Sequence, residues 1–215
     1  MPRLLDLFCG AGGASVGYAR AGFEVVGVDI VDQPRYPFEF HQADAMTFPL
    51  DGFDAVHASP PCQAYSVSTA GFRHGGKSYP DLVAPTRARL RTGGVPWVIE
   101  NVPGAPIRPD YRLCGCLFDL GIKRERWFET SWHGFELRSP CHHAEPLMNT
   151  LRKSHGPWYR IHRRTPTRGE IAHAMGVEWM RGEEFSQAIP PAYTLHIGSM
   201  LMEYLDRESV RGGRL

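Results

Sequence analysis

An apolar run, Arg3–Phe8, breaks at Gly10-Ala11-Gly12-Gly13 and gives way to a short helical pattern, Ala14–Ala21, that Gly22 closes. A second apolar run, Glu24–Asp29, follows at once. Strand, glycine turn, helix and strand open a parallel sheet, because parallel strands need a crossover and a helix makes one compactly. The first half keeps this alternation. A third short strand ends near Asp44, a fourth is Asp54–Ala58, and a fifth is Trp97–Glu100. A helix surrounds Asp81–Arg91, with Pro85 blurring its start, and Pro34 and Pro37 exclude a long helix after the second strand. The expected class is α/β.

The second half reads differently. Arg124–Thr130 has the pattern of one strand, and Trp132–Ile161 is rich in Pro and His with no period, as in a small irregular subdomain. Thr167 and Glu170 form a capping box, with Gly176 as the stop of that helix. A last helix, Ala192–Arg207, sets Leu195, Ser199, Met202 and Leu205 at helical spacing and is expected to pack back onto the sheet. The expected organisation is a main α/β unit over 1–131, a small subdomain over 132–185 and a returning C-terminal segment over 186–215.

The 215 residues are 42% hydrophobic and 22% charged, which excludes a disordered chain and allows a core without staples. No apolar run approaches the roughly 20 residues that span a bilayer. Met1–Asp6 carries charge where a secretory leader needs apolar residues, so a cytoplasmic protein is expected. Five cysteines, Cys9, Cys62, Cys114, Cys116 and Cys141, are an odd, uneven set that argues against a disulfide framework. The net charge of +1 marks no particular partner, but its distribution does. Arg152, Lys153, Arg160, Arg163, Arg164 and Arg168 lie between Leu151 and Gly169 with no acidic residue among them. Such a stretch either meets phosphates or is a solvated basic face.

Three segments carry chemistry. In Asp6-Leu7-Phe8-Cys9-Gly10-Ala11-Gly12-Gly13 a glycine turn opens a helix, so a ligand can approach the backbone and a helix N-terminus. Asp29 ends the next strand, where a carboxylate binds ribose hydroxyls in such folds, and Asp44 ends the third beside the same crevice. Ser59-Pro60-Pro61-Cys62-Gln63 follows the fourth strand, and its prolines stiffen the backbone that aims the Cys62 sulfur. Glu100-Asn101-Val102-Pro103 follows the fifth. A thiol and an acid facing a nucleoside-type ligand suit covalent chemistry on a small polarisable substrate.

These segments, with Arg124-Glu125-Arg126 and Gln187-Ala188-Ile189-Pro190-Pro191, resemble the motifs of the DNA cytosine-5 methyltransferase family, in that family's order. The likeness is to small phage- or bacterial-type members with a very short target-recognition region. It implies a Rossmann-like, S-adenosylmethionine-dependent methyltransferase sheet in 1–131, target recognition in 132–185, double-stranded DNA as partner and a monomer acting in DNA modification, as in restriction-modification systems. It also implies that the target cytosine is rotated out of the duplex. Cys62 would add to carbon 6, Glu100 would hold ring N3, Arg126 the base carbonyl, and Arg124 would face the site as its partner. Phe8, Gly10, Gly12, Asp29, Ile30, Asp44, Ala45 and Gln187 would hold S-adenosylmethionine. Gln63, Ser66, Arg73 and Lys77 would meet DNA from a glycine-rich loop, 63–79, that closes over the base, and Arg152, Lys153, Arg160, Arg163 and Arg164 would bind its phosphates.

The chain departs from the family in three places. Ile122 stands where a glutamine usually precedes the two arginines, and Gln187 stands where asparagine is common. The segment available for target recognition, 132–161, is short, so a short or relaxed target sequence is expected, since each good base contact supplies only about 1–3 kcal/mol of discrimination. Cys114, Cys116, Cys141, His142 and His143 are of the types that bind zinc. Cys-x-Cys is not the usual knuckle, however, and Leu113 and Leu117 flank it as core residues would, so no metal is assigned from sequence. An RNA cytosine-5 methyltransferase and a catalytically inactive nucleic-acid-binding homologue are the competing readings.

Overall fold

A computed structural model of the chain describes residues 1–132, 141, 143, 148–149, 157–182 and 184–212. The elements are β1 (Arg3–Leu7), α1 (Gly13–Arg20), β2 (Glu24–Asp29), β3 (Glu39–Gln42), β4 (Ala55–Ala58), α2 (Ala70–His74), α3 (Val83–Thr92) and β5 (Trp97–Asn101). There follow β6 (Tyr111–Leu113), β7 (Ile122–Lys123), β8 (Arg126–Thr130), β9 (Met148–Asn149), α4 (Pro157–His162), α5 (Arg168–Met175), α6 (Glu184–Gln187) and α7 (Pro191–Gly212). Short 3-10 turns occupy Val67–Thr69 and Gly115–Phe118.

One seven-stranded sheet has the order β3-β2-β1-β4-β5-β8-β6. The five strands from β3 to β5 are parallel, and β8 runs antiparallel to both β5 and β6. The chain builds outward from β1 to β3, then crosses back to add β4 and β5 on the other side. Strand order therefore reverses between β1 and β4, and open α/β sheets bind ligands beyond the carboxyl ends of the strands at such a point. A separate parallel pair joins β7 to β9.

The sheet is covered on both faces, which is why its parallel strands read as continuous apolar runs. Leu4 and Val25 pack with Tyr18, Tyr193, Ile197 and Leu201 under α1 and α7. Leu5, Leu7, Val56 and Ile99 pack with Leu90 of α3 on the opposite face. A third cluster, with Ile122, Ile171, Met175 and Phe185, gathers β7, α5 and α6.

Several expectations need correction. The strand foreseen over Arg124–Thr130 starts at Arg126, because Arg124 turns inward to three hydrogen bonds with the Ser186 and Ala188 carbonyls. The last helix is longer than expected and buries a different face. Tyr193, Ile197 and Leu201 are fully buried, whereas Leu195 and Ser199 are exposed. The third strand ends at Gln42, two residues before Asp44, whose carbonyl and carboxylate instead cap the turn through Phe48. Pro85 sits in the first turn of α3, where no intrahelical N–H is needed. The 63–79 loop contains α2. The capping box forms as read, with Gly176 at φ 68°.

Small residues decide which face of α7 is buried. A Cβ on Gly17 would lie 2.0 Å from Thr194 Oγ1 and 2.3 Å from the Pro191 carbonyl oxygen. One on Gly198 would lie 2.8 Å from the Ala21 Cβ. Helix propensity favours alanine over glycine by about 1 kcal/mol, yet overpacking against backbone costs about 1–3 kcal/mol or more. Gly17→Ala should therefore lower unfolding stability in a denaturant titration; a gain would show that α1 and α7 are free to separate.

Candidate active site

The first half of the site is the turn after β1. Phe8 has φ 59°, a conformation uncommon for a residue with a side chain, and Gly10 and Gly12 follow at φ 49° and 85°. The left-handed steps fold the turn back so that Gly10 N–H donates to Asp29 Oδ2 at 2.9 Å, while Val31 N–H donates to Oδ1 at 3.0 Å. Each Asp29 oxygen keeps a free lone pair for a further donor. Asp6, fully buried, accepts a hydrogen bond from Ser15 through Oδ2, but its Oδ1 has no hydrogen-bond partner among the described residues. Burial and the nearby Asp29 and Glu100 carboxylates push Asp6 up to about 7, against the Ser15 hydrogen bond.

The second half lies at the ends of β4 and β5. Asn101 is buried; its amide donates to the Pro60 carbonyl at 2.9 Å and its side-chain oxygen accepts from Val102 N–H at 2.9 Å. One side chain thus fixes the Pro60–Pro61–Cys62 turn against the strand that carries Glu100. Glu100 is 5% exposed. Arg126 Nε lies 3.0 Å from its Oε1, an ion pair without an aligned hydrogen bond. Behind Glu100 runs a buried polar chain. Tyr18 Oη is 2.9 Å from His57 Nδ1, and His57 Nε2 is 2.8 Å from Ser59 Oγ, which hydrogen-bonds Glu100. Burial lowers His57 to about 3, so its ring is neutral, with one donor and one acceptor nitrogen. With Glu100 ionised the chain has one sense: Tyr18 O–H to Nδ1, Nε2–H to Ser59, Ser59 O–H to the carboxylate.

Both halves open into one cavity of about 510 Å³. Phe8, Gly10, Asp29, Ile30, Cys62, Gln63, Glu100, Arg126 and Gln187, all expected at the site, line it. Gly12, Asp44, Ala45 and Arg124 do not. Gly12 is instead packed under the loop after β2, where an added Cβ would meet Pro37 Cδ at 2.8 Å. Ala45 is buried, and its carbonyl accepts from Arg89 at 3.0 Å. Arg124 is buried and clamps the approach to α7. Asp6, which opens the first chemistry-bearing segment, lines the cavity too, whereas sequence reasoning missed the Ser59–His57–Tyr18 chain and Glu184 with Arg35. That ion pair joins α6 to the loop after β2 at the cavity's edge. An isolated His, Ser or Tyr offers no periodic signal, but one histidine, His57, inside an apolar β4 was the available hint.

Beyond the cavity, Arg73 is spent on its own loop, donating to the Gln63 and Ser66 carbonyls and to Thr69. Ser66 caps the following turn, and the Lys77 ammonium sits over the Tyr79 ring. Arg163 is exposed, with φ 54° after α4. Arg164 forms a two-pronged pair with Glu170, the capping-box acid. Arg152, Lys153 and the Arg160 side chain lie outside the described residues.

The sheet order, five parallel strands with an antiparallel edge, is that of a Rossmann-like α/β fold. Residues 2–104 match the model of the family described as C-5 cytosine-specific DNA methylase, so the resemblance drawn from the motifs holds across the sheet's parallel half. The fold is shared with the Dnmt2 methyltransferase of S. pombe, at 14% identity and TM-score 0.59, over 95% of this chain and 99% of that one. It is also shared with an E. coli prophage-encoded protein described as a DNA modification methyltransferase, at 16% identity and TM-score 0.57, over 96% and 100%. A third is the Entamoeba histolytica methyltransferase EhMeth, at 14% identity and TM-score 0.53, over 97% and 98%. No curated protein matches the chain in sequence. Among the described residues no helix is long and apolar enough to cross a membrane.

Burial raises the Cys62 thiol above its ordinary range and Glu100 adds to this, while Arg126 and, more weakly, Arg124 pull it down. Alkylation follows the thiolate. Cys62 modification, read by peptide mass spectrometry against pH, should have its midpoint above that of a free thiol. Arg126→Ala should move the midpoint higher, and Glu100→Gln lower. A midpoint that neither substitution moves would separate Cys62 electrostatically from both residues.

Proposed function

We propose that this protein transfers a methyl group from S-adenosylmethionine to carbon 5 of cytosine in double-stranded DNA. The observation that carries the reading is the convergence of Cys62, Glu100 and Arg126 on a cavity whose other half is the Phe8–Gly10–Asp29 pocket. The cavity's chemistry fits the cofactor. Asp29 retains acceptor capacity for a diol, and the orphaned Asp6 Oδ1 suits a donor or cation. Bound there, S-adenosylmethionine supplies an electrophilic methyl group.

The protein's own groups divide the work. The Cys62 thiolate adds to carbon 6 of a cytosine rotated into the cavity. That addition places electron density on carbon 5 and negative charge on the ring. Glu100, lifted above the usual carboxylate range by burial against the pull of Arg126 and Ser59, can hold a proton at ring N3 and so disperse that charge. Arg126 presents donors on the same side, suited to the base carbonyl. Carbon 5 then takes the methyl group, a base removes its proton, and the carbon 6–sulfur bond breaks to return the Cys62 thiolate. The match of residues 2–104 to the C-5 cytosine-specific DNA methylase model supports DNA as substrate, and the reading takes the protein to act as a monomer in the cytoplasm. On this reading Gln63, which lines the cavity, and Lys77, whose ammonium sits over the Tyr79 ring, meet the duplex.

Methyl transfer should be measured side by side on a random-sequence duplex and on tRNA, with trapping on a 5-fluorocytosine duplex. Wild type should methylate the duplex and form a covalent adduct. Cys62→Ser should do neither while still binding S-adenosylmethionine, because a hydroxyl is far less nucleophilic near neutral pH. Methylation of tRNA alone would move the reading to RNA, and no transfer to either with intact cofactor binding would indicate a binding homologue.

A further inference from the structure

Cys114, Cys116, Cys141 and His143 stand outside the cavity, and the proposed chemistry uses none of them. One ligand atom from each, three Sγ and a ring nitrogen, lie within 4.8 Å of one another. His143 Nε2 is 3.5 Å from Cys114 Sγ and 2.7 Å from Cys141 Sγ. Zinc–sulfur bonds of about 2.3 Å put tetrahedral ligands roughly 3.8 Å apart, so small side-chain shifts would bring this set around an ion. We propose that these four residues form a structural zinc site of the Cys3His type.

The local fold answers the objection that Cys-x-Cys is not a knuckle. Cys114 follows β6 in an extended conformation, with φ −138° and ψ 153°, and its carbonyl accepts from Leu117 N–H at 2.9 Å. The intervening residue must be glycine: a Cβ on Gly115 would lie 2.1 Å from the Ile122 carbonyl oxygen. Packed against β7, the turn presents Cys114 from the core side and Cys116 from a half-buried position. Leu113 does belong to the core, but the thiols point away from it toward Cys141 and His143, both exposed. Exposed thiol and imidazole groups converging on two others bury little apolar surface, so hydrophobic burial does not explain the cluster. Four soft or borderline ligands with no open position suit zinc in a structural role. Its effect would be to tether the segment between Trp132 and β9 to β6, where a stretch too short for its own core gains most from a cross-link.

The test reads metal rather than methyl transfer, so it is independent of the proposed function. The full chain, purified under reducing conditions, should contain about one zinc ion per molecule by elemental analysis, and cobalt exchange should give thiolate-to-metal absorption. Cys116→Ser and His143→Ala should lose most of the metal. His143→Cys, which keeps four ligands, should retain it, and so should Cys62→Ser. Chelation should lower the thermal unfolding temperature of wild type and leave His143→Ala unmoved. Reduced, folded protein that takes up neither zinc nor cobalt, or metal content equal in wild type and in Cys116→Ser and His143→Ala, would overturn the site. A metal-free protein whose cysteines are joined as a disulfide would do the same.

Discussion

A carboxyl group buried at the end of the sheet sets the terms for what surrounds it. Glu100 is 5% exposed, and a carboxylate so placed needs a cation and hydrogen-bond donors to remain ionised. Arg126 of the antiparallel β8 supplies the cation, and Ser59 at the end of β4 supplies a donor. Ser59 is in turn held by His57, and His57 by Tyr18 of α1. The chain of contacts therefore crosses four elements, and the α1–α7 packing that buries Tyr18 also orders the acid at the cavity. Adding β8 antiparallel to an otherwise parallel sheet brings Arg126 alongside Glu100, since the two strands pair Phe128 with Glu100 and Trp127 with Asn101.

The two neighbouring arginines show how a motif can hold different roles under one chemistry. Arg126 faces the cavity; Arg124 is buried and holds the chain before α7 through the Ser186 and Ala188 carbonyls. Tyr193 completes the joint by donating its hydroxyl to the Arg124 carbonyl at 2.5 Å. Arginine suits this because a planar fork can meet two carbonyls at once. Through that joint Gln187, Ala188 and Ile189 reach the cavity although they follow the small subdomain in sequence.

The parallel half of the fold was legible because period and punctuation agree there. Apolar runs end at glycine or at acids, and β1, β2, β4 and β5 fall close to where the pattern sets them. The capping box at Thr167 was readable for the same reason: it is a local interaction written in local residues. What stayed hidden depends on contacts between distant segments. The break at Arg124 is decided by carbonyls more than sixty residues away, and the buried face of α7 by glycines on α1 and α7. Arg164 reads as a free phosphate binder until Glu170, already named as a capping residue, is seen to hold it. Cys114 and Cys116 are only two positions apart in sequence, but their meaning depends on Cys141 and His143 arriving from beyond β8.

The distribution of charge within the cavity links its two halves. Asp6, Asp29 and Glu100 all line it, against Arg126. Repulsion from Asp29 and Glu100 is part of why Asp6 is pushed up to about 7, whereas Glu100 is raised by its own burial against the pull of Arg126, Ser59 and Arg124. A ligand that brings positive charge into this space relieves the repulsion and favours the ionised acids; a neutral ligand of the same shape does not. In the proposed reaction, transfer of a methyl group from a sulfonium leaves a neutral thioether, which the same carboxylates would hold less firmly than the donor. Under the proposed function, Asp6 and Asp29 would favour loading before transfer and release after it, while Glu100, on the Cys62 side and paired with Arg126, would serve the base.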